Sequence, residues 1–553
     1  MRGAMATLTH LISSGGGDHA SGTGGNCLGG RYVRWREMFN TTRTGCALAF
    51  AVALASCAVG PNYRTPDAHV PGTFDAVNHG SASPPARDVA SNGNATTKVD
   101  LAGWWHALND AELDSLVDRA VRSNPDALIA LDRLQAARTY EIAIVGSALP
   151  EVSASGAAGR GTGSDLSRGH ADQALRSADT SSGLQHINQL GGFDAVWEID
   201  LFGKYRREMQ AARADAQATA AQRNAVLITV ISNVARAYVD LRGLQMRASV
   251  LHAAIDTLRE SQRVTRERYE RGITNELDVT LATRELGVLE SQVAPVEAQV
   301  SAAEYTIATL LGQYPEELIT ELSKPAMIPS VPAAVQAGVP LDLLRRRPEI
   351  VQAERELAGS TARLGVATAS LFPSVSISGA IGAQKQTTPE VGAHIWSAGV
   401  GAMWPLLDFG MLDAQVEIAN QRTRAQLINY RRTIQDAVKD VDTNWSAYAA
   451  QQERLVNLGD ALTASQRAVT LANERYVRGL TDFLNLVDAE RQQYDIEEQY
   501  TAAQLGAAEE FIALYRSLGG GWENYQQLPP AHFPEPAVMA AFHRVLARND
   551  ALE

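Results

Sequence analysis

The 553-residue chain carries its own pattern twice at one fixed offset, and few folds accommodate that. Trp197–Gly203 (WEIDLFG) recurs as Trp404–Gly410 (WPLLDFG), and Glu267–Thr274 (ERYERGIT) as Glu474–Thr481 (ERYVRGLT), both at an offset of 207. A second set of pairs has an offset of 223: Pro125 with Pro348, and Leu149–Val152 (LPEV) with Phe372–Val375 (FPSV). The first copy therefore holds 16 extra residues between Pro150 and Trp197, a longer loop. A unit of about 200 residues far exceeds the 20–50 of a solenoid repeat, so each copy is a structural half.

The N-terminus predicts export. Cys46–Ser56 (CALAFAVALAS) is an apolar run of 11 behind Arg43, too short to span a bilayer and suited to a signal-peptide core. It ends in Leu54-Ala55-Ser56-Cys57, which resembles the bacterial lipobox, so Cys57 is the predicted acylation site and its lipid the one covalent group expected. Ala rather than Asp at position 58 is, in such lipoproteins, the mark of outer-membrane sorting. Residues 1–37 are Gly-rich and unlike a signal, which leaves Met1 or Met38 as the start. Of three cysteines only Cys57 follows the cleavage site, so no internal disulfide is expected in the mature chain. A net charge of -13 argues against nucleic acid as a partner.

Beyond Cys57 no stretch of 18 apolar residues occurs, yet four segments alternate with period two: Glu151–Gly159, Phe193–Leu201, Ser374–Ile381 and Trp396–Leu406. Trp396 and Trp404 bracket one of them about 26 Å apart along the strand. With Trp197 they are candidate membrane-interface aromatics, because an outer-membrane strand puts apolar residues outward, polar ones inward and aromatics at the rims. The same alternation also suits a soluble sheet with one buried face. Four strands cannot enclose a lumen and open edges are not tolerated in lipid, so a membrane sheet requires several chains to pool their strands; three would supply 12.

The remainder reads as long helices: Lys204–Arg242 and Arg247–Leu311, then Met411–Gln452 and Leu455–Leu518, with shorter ones over Glu112–Ala148 and Leu341–Leu371. Leu286, Leu289, Val293, Val296, Val300, Ala303, Ile307 and Leu310 step 3,4,3,4,3,4,3, a coiled-coil seam interrupted by Pro295, where a kink is expected. Gly272 and Gly479 follow Arg-Tyr-X-Arg in each copy and suit C-caps, with Asn275 and Asp482 capping the helices that follow. These breaks divide the chain into 1–56 (signal and extension), 57–110 (anchored segment), 111–323 (first repeat), 324–340 (Pro-rich linker), 341–518 (second repeat) and 519–553 (tail).

Four stretches resemble the TolC-type outer-membrane efflux lipoproteins, NodT branch: CAVGPNYRTP (57–66), WWHALNDAELDSL (104–116), LLRRRPEIVQAERELAGSTARLGVATASLFPSVSISGAIG (343–382) and RGLTDFLNLVDAER (478–491). The resemblance implies an α+β membrane protein. It would be a TolC-like homotrimer whose 12-stranded outer-membrane barrel, four strands per chain, continues into a 12-helix periplasmic α-barrel. It also implies a periplasmic adaptor and an inner-membrane resistance–nodulation–division pump as partners, and passive conduction as the activity. The inward strand positions Asp194, Glu198 and Asp200 would then make acidic rings favouring cations. Helical hairpin tips are expected near Leu241–Arg247 and Ala449–Arg454, with a closing carboxylate ring beside the second formed by Asp436, Asp440 and Asp442. The matching positions in the first copy are Thr229, Asn233 and Ala235.

No HExxH, GxSxG or P-loop is present and the 11 histidines are scattered, so neither an enzyme nor a metal site is expected. The remaining alternatives are a type I protein-secretion conduit and a structural coiled-coil lipoprotein. The Ser, Gly, Ala and acidic residues of the predicted pore lining do not name a cargo.

Overall fold

The computed structural model describes residues 58–67, 100–161, 186–332, 346–387 and 390–526. The predicted signal, Cys57, most of the Pro-rich stretches, the long loop of the first copy and the end of the tail lie outside these residues. After a 3₁₀ segment at Leu101–Leu108 the first half runs α1 (Ala111–Ser123), α2 (Pro125–Ser147), β1 (Glu151–Gly161), β2 (His186–Ile199), α3 (Lys204–Glu270), α4 (Glu276–Leu310) and α5 (Pro315–Leu322). The second half runs α6 (Pro348–Ala369), β3 (Ser374–Thr387), β4 (Glu390–Met403), α7 (Met411–Val477) and α8 (Phe483–Ser517). The bounds of α3 and α7, and of α4 and α8, repeat to the residue at the 207 offset.

The helices differ from expectation in where they turn. Both α3 and α7 are 67 residues long, about 100 Å, and pass unbroken through Leu241–Arg247 and Ala449–Arg454. The expected hairpin turns are therefore misplaced. Gly243 lies inside α3, and its missing side chain admits a neighbour: a Cβ there would lie 2.9 Å from Leu505 Cδ2 on α8. The turns are at Gly272 (φ 72°) and Gly479 (φ 71°), left-handed residues closing matched Schellman motifs. Ile273 N donates to Arg268 O at 2.8 Å, and Leu480 N to Arg475 O at 2.9 Å. Asn275 caps α4 through Asp278 N as expected, whereas Asp482 makes no side-chain cap. α4 runs through Pro295, and its heptad residues Leu286, Leu289, Val296 and Ile307 are buried.

Short helices complete each long one. The expected helix over 112–148 is broken at Asn124-Pro125. Asn124 accepts from Asp126 N and Ala127 N as N-cap, and Pro125 fills a first-turn position that needs no donor. The C-terminus of α4 abuts this start: Ser123 Oγ donates to Leu311 O at 2.6 Å and Asn124 Nδ2 to Leu310 O at 2.7 Å. Gly312 (φ 66°) allows the approach, since a Cβ there would lie 2.7 Å from Ser123 O. The joint recurs in the second half, where Gly519 (φ 76°) faces Arg347, the N-cap of α6. Contacts order the helices as four neighbouring columns: α4 with α2, then α3, then α8 with α6, then α7.

The four strands form one antiparallel sheet in the order β1-β2-β3-β4, so β1 and β4 are its open edges. The main core lies beside the α4–α2 joint. There Trp104, Trp105, Leu113, Leu116, Ile231, Val234 and Tyr238 meet Phe511 and Tyr515. A second cluster, including Leu251, Ile255, Leu286, Phe483 and Leu486, extends towards the hairpin turns.

Candidate channel wall and its two ends

The register of the sheet sorts its faces. Ala154, Phe193, Ile381 and Trp396 form one row across the strands, and Trp197, Ile377 and Val400 another. Side chains alternate along a strand, so these rows share one apolar face. Ser153, Asp194, Ala380 and Ser397 form a row on the opposite face, with Glu198, Ser376 and Gly401 in a second. The apolar face is exposed: Trp396 keeps 79% of its surface. β3 and β4 are 14 residues each, more than the 9–11 that cross a bilayer's hydrocarbon core at a tilt. No helix among the described residues is long and apolar enough to cross a membrane.

The tryptophans at the repeat positions do matching work. Trp197 Nε1 donates to Ala148 O and Trp404 Nε1 to Leu371 O, both at 3.1 Å, tying each strand's end to the last turn before the neighbouring strand begins. Trp404 and Leu406 lie just past the end of β4.

The three predicted lumen carboxylates have different surroundings. Asp194 lies on the polar face and accepts from Ser153 Oγ at 2.8 Å. Glu198, on the same face, pairs with Lys204 at 3.4 Å and accepts from Tyr205 Oη at 3.1 Å. Asp200 is past the strand, contrary to its expected inward strand position. It accepts from Arg206 N at 2.9 Å and pairs with the Arg206 guanidinium, holding the first turn of α3.

Asp436, Asp440 and Asp442 lie in the middle of α7, 35–41 residues before its end at Val477 and so about 50–60 Å from the turn. Their expected place beside a tip is corrected with the turn itself. Asp440 pairs with Arg347 and Lys439, each at 3.5 Å, and Asp436 with Lys439 at 3.4 Å and Arg432 at 3.6 Å. At the true tips the exposed apolar pair Ile273 and Leu277 recurs as Leu480 and Leu484. Sequence reasoning passed over these four because they follow glycines read only as caps. The shared 207 offset was the available signal.

At the sheet end of α3 the segment 58–67 is clamped to the wall. Val59 N donates to Phe202 O at 3.1 Å, and Arg207 reaches Val59 O, Gly60 O and Asn62 Oδ1, the last at 2.8 Å. Gly60 (φ 90°) passes so close to α6 that a Cβ would lie 2.7 Å from Gly365 Cα. Tyr63 Oη donates to Glu354 at 2.9 Å beneath Arg355. At the other end of the core, Arg242 is wholly buried on α3. It donates to Glu112 at 2.6 Å, Gln245 at 2.7 Å and Lys324 O at 2.8 Å, and lies over the Tyr238 ring. Burial outweighs Arg242 in setting the Glu112 carboxyl, which is raised above its ordinary range.

Two further carboxyls, both missed from sequence, sit where the halves of the chain meet. Asp240 on α3 is half-buried beside Glu509 on α8, and burial first, then the neighbouring carboxylate, raises its pKa. Glu490 on α8 accepts from Ser261 Oγ of α3 at 2.6 Å. Its Oε2 is buried without a hydrogen-bond partner among the described residues, beside a cavity of about 130 Å³. Burial lifts this carboxyl to about 7.

The profile of the family described as outer membrane efflux protein matches residues 116–313 and 339–520. The chain is 28% identical to nodulation protein T of Rhizobium leguminosarum bv. trifolii over 485 residues, 86% of this chain and 96% of that protein. It is 27% identical over 491 residues to the toluene efflux pump outer membrane protein TtgC of Pseudomonas putida, covering 87% and 96% respectively. Among solved structures, the outer-membrane channel OprN superposes with a TM-score of 0.74 at 34% identity, over 85% of this chain and 100% of that one.

Proposed function

From the premise that the chain belongs to the outer membrane efflux protein family and is an outer-membrane channel rather than an enzyme, we propose that it acts as a homotrimer. In this reading it is the passive exit duct of a tripartite system, receiving small molecules from an inner-membrane resistance–nodulation–division pump through a periplasmic adaptor. The observation that carries the reading is the coincidence of open edges. The sheet ends on β1 and β4, and the helical wall ends on the α4–α2 column and α7. β1 follows α2 and β4 precedes α7, so both layers are unfinished on the same two sides. An unpaired strand edge cannot remain in lipid. Two copies would give eight strands, whose interior side chains fill; three give twelve and leave a lumen.

The polar face, with Asp194 and Glu198, then lines the pore, and the apolar face with Trp197 and Trp396 meets the bilayer. The tip pairs Ile273 and Leu277, and Leu480 and Leu484, are the surfaces offered to the adaptor. Cys57 carries the lipid, a reading supported by the clamping of residues 58–67 at the sheet end of α3.

The test combines planar-bilayer recording of the purified protein with drug-susceptibility profiling of a deletion strain. The wild-type protein should form discrete cation-preferring conductances and restore resistance. Asp194→Asn with Glu198→Gln should reduce the cation preference. Leu277→Asp with Leu484→Asp should keep the conductance and lose the resistance. A protein that forms no conductance and leaves every susceptibility unchanged would sink the proposal.

A further inference from the structure

The chain has 62 acidic residues against 49 Lys and Arg, yet one of its cavities is lined by three arginines and no carboxylate. This cavity, of about 300 Å³, lies between α3, α6 and the segment 58–67. Ala214, Ala358 and Ala362, small and buried where the two helices meet, leave the space open. The arginines that line it are Arg207 and Arg213 on α3 and Arg355 on α6.

Only one of the three charges is met. Arg355 pairs with Glu354, which also accepts from Tyr63 Oη at 2.9 Å and Thr65 Oγ1 at 3.3 Å and does not line the cavity. Arg207 is 3% exposed, and its acceptors are all neutral: Val59 O, Gly60 O, Asn62 Oδ1 and, at 3.0 Å, Gln210 Oε1. Arg213 is exposed and has no hydrogen-bond or ion-pair partner among the described residues. The carboxylates nearby in sequence are engaged elsewhere, Asp200 with Arg206 and Asp215 with Arg363. A buried charge is costly unless an opposite charge meets it. Burial first, then the neighbouring Arg206, lowers the Arg207 pKa, as expected of a cation that lacks an anion.

The level of the cavity suggests what supplies the anion. β2 ends at Ile199 and α3 begins at Lys204, so Arg207 lies about 5 Å along α3 and Arg213 about 9 Å further. The headgroup layer beside the hydrocarbon core is itself about 5–7 Å deep on each side. We propose that this cavity binds the phosphate group of an anionic phospholipid at the periplasmic surface of the outer membrane. Guanidinium forks match phosphate oxygens, and a net anionic headgroup neutralises the two unmet charges. A zwitterionic lipid brings an ammonium group that the same arginines repel. An acylated Cys57 sets the segment 58–67 on the lipid side of the wall, and access of the headgroup rests on that reading.

The test titrates the purified full-length protein, in a neutral detergent, with short-chain phosphatidylglycerol, phosphatidylcholine of the same chains, or inorganic phosphate. Bound lipid is read by native mass spectrometry. Phosphatidylglycerol should bind roughly tenfold more tightly than phosphatidylcholine, and inorganic phosphate at equal concentration should not displace it. Arg213→Gln removes a side chain with no partner among the described residues and should weaken phosphatidylglycerol binding roughly tenfold. Gln210→Glu puts a carboxylate where Arg207 already donates, so the clamp is kept while lipid binding is lost. Arg467→Gln makes the same charge change as Arg213→Gln on an exposed arginine in the far half of α7, and should bind as the wild type does. Equal binding of the two lipids overturns the inference, as does wild-type binding by both Arg213→Gln and Gln210→Glu. Displacement by inorganic phosphate at equal concentration overturns the lipid as the source and leaves a site for the free ion. Palmitate labelling reads Cys57 separately: a labelled protein that binds no phosphatidylglycerol removes the inference and leaves the Cys57 reading standing.

Discussion

At Glu490 a carboxyl on α8 faces α3 with one oxygen bonded to Ser261 and the other buried without a partner among the described residues. Its charged neighbours are Glu285 on α4, itself 4.0 Å from Arg491, and Glu497 along α8. Burial favours the neutral acid and lifts the carboxyl to about 7 from 4.5. The folded chain therefore holds a proton that the unfolded chain has released. This stabilisation is complete below about pH 4.5 and is lost as the pH rises through about 7. A displacement of this size corresponds to roughly 3 kcal/mol per chain. Glu490→Gln keeps an acceptor for Ser261 and removes the titration. The variant should therefore melt above the wild type at pH 8 and close to it at pH 4.5. Parallel melting curves for the two proteins across this range would contradict the assignment. Position 490 could not be singled out from sequence. Its neighbours in the chain are the ordinary polar residues of a helix surface, and what desolvates it comes from α3 and α4, in the other half of the chain.

At the scale of elements, the joint between α4 and α2 depends on Gly312, which combines a left-handed φ with contact against Ser123 O. Gly312→Ala adds strain and a clash at once and should cost on the order of 2 kcal/mol, read as a lowered midpoint in heat or denaturant. An unchanged midpoint would mean that the joint is loose. The elements also show where sequence was legible. The four strands could be read because tryptophan and alternation mark them directly, and the helix starts because Gly203 and Gly410 recur at the repeat offset. The hairpin turns were not. Gly243 and Gly272 look alike in sequence, each glycine following an arginine in a polar helix. One is glycine to let Leu505 approach, the other to bend the chain. Only the partner helix distinguishes them, and the misplaced turn carried Asp436, Asp440 and Asp442 to the wrong level. Asp200 was misread for a similar reason: alternation continues past the last strand residue into a cap.

For the whole molecule, placement in the membrane follows from two features: the apolar rows of the sheet, and the clamp that seats Ala58 against Gly203 where sheet gives way to helix. An acyl chain one residue upstream would enter the bilayer at that level, so the Cys57→Ser variant should lose radioactive palmitate labelling. Full labelling of the variant would exclude the site. The clamp on Arg207 does not depend on the lipid, and the variant should still assemble. The unbroken α3 and α7 have a mechanical consequence. A rod about 100 Å long, held at the sheet, is a lever: a pivot of about 5° at its fixed end sweeps the far end through about 9 Å. The neighbouring columns are jointed at Gly312 and Gly519 and so can take up the bending that such a swing requires. In the proposed trimer such a rotation would gear the aperture at the tips to the rim, with wide travel at the mouth while every strand pairing stays in place.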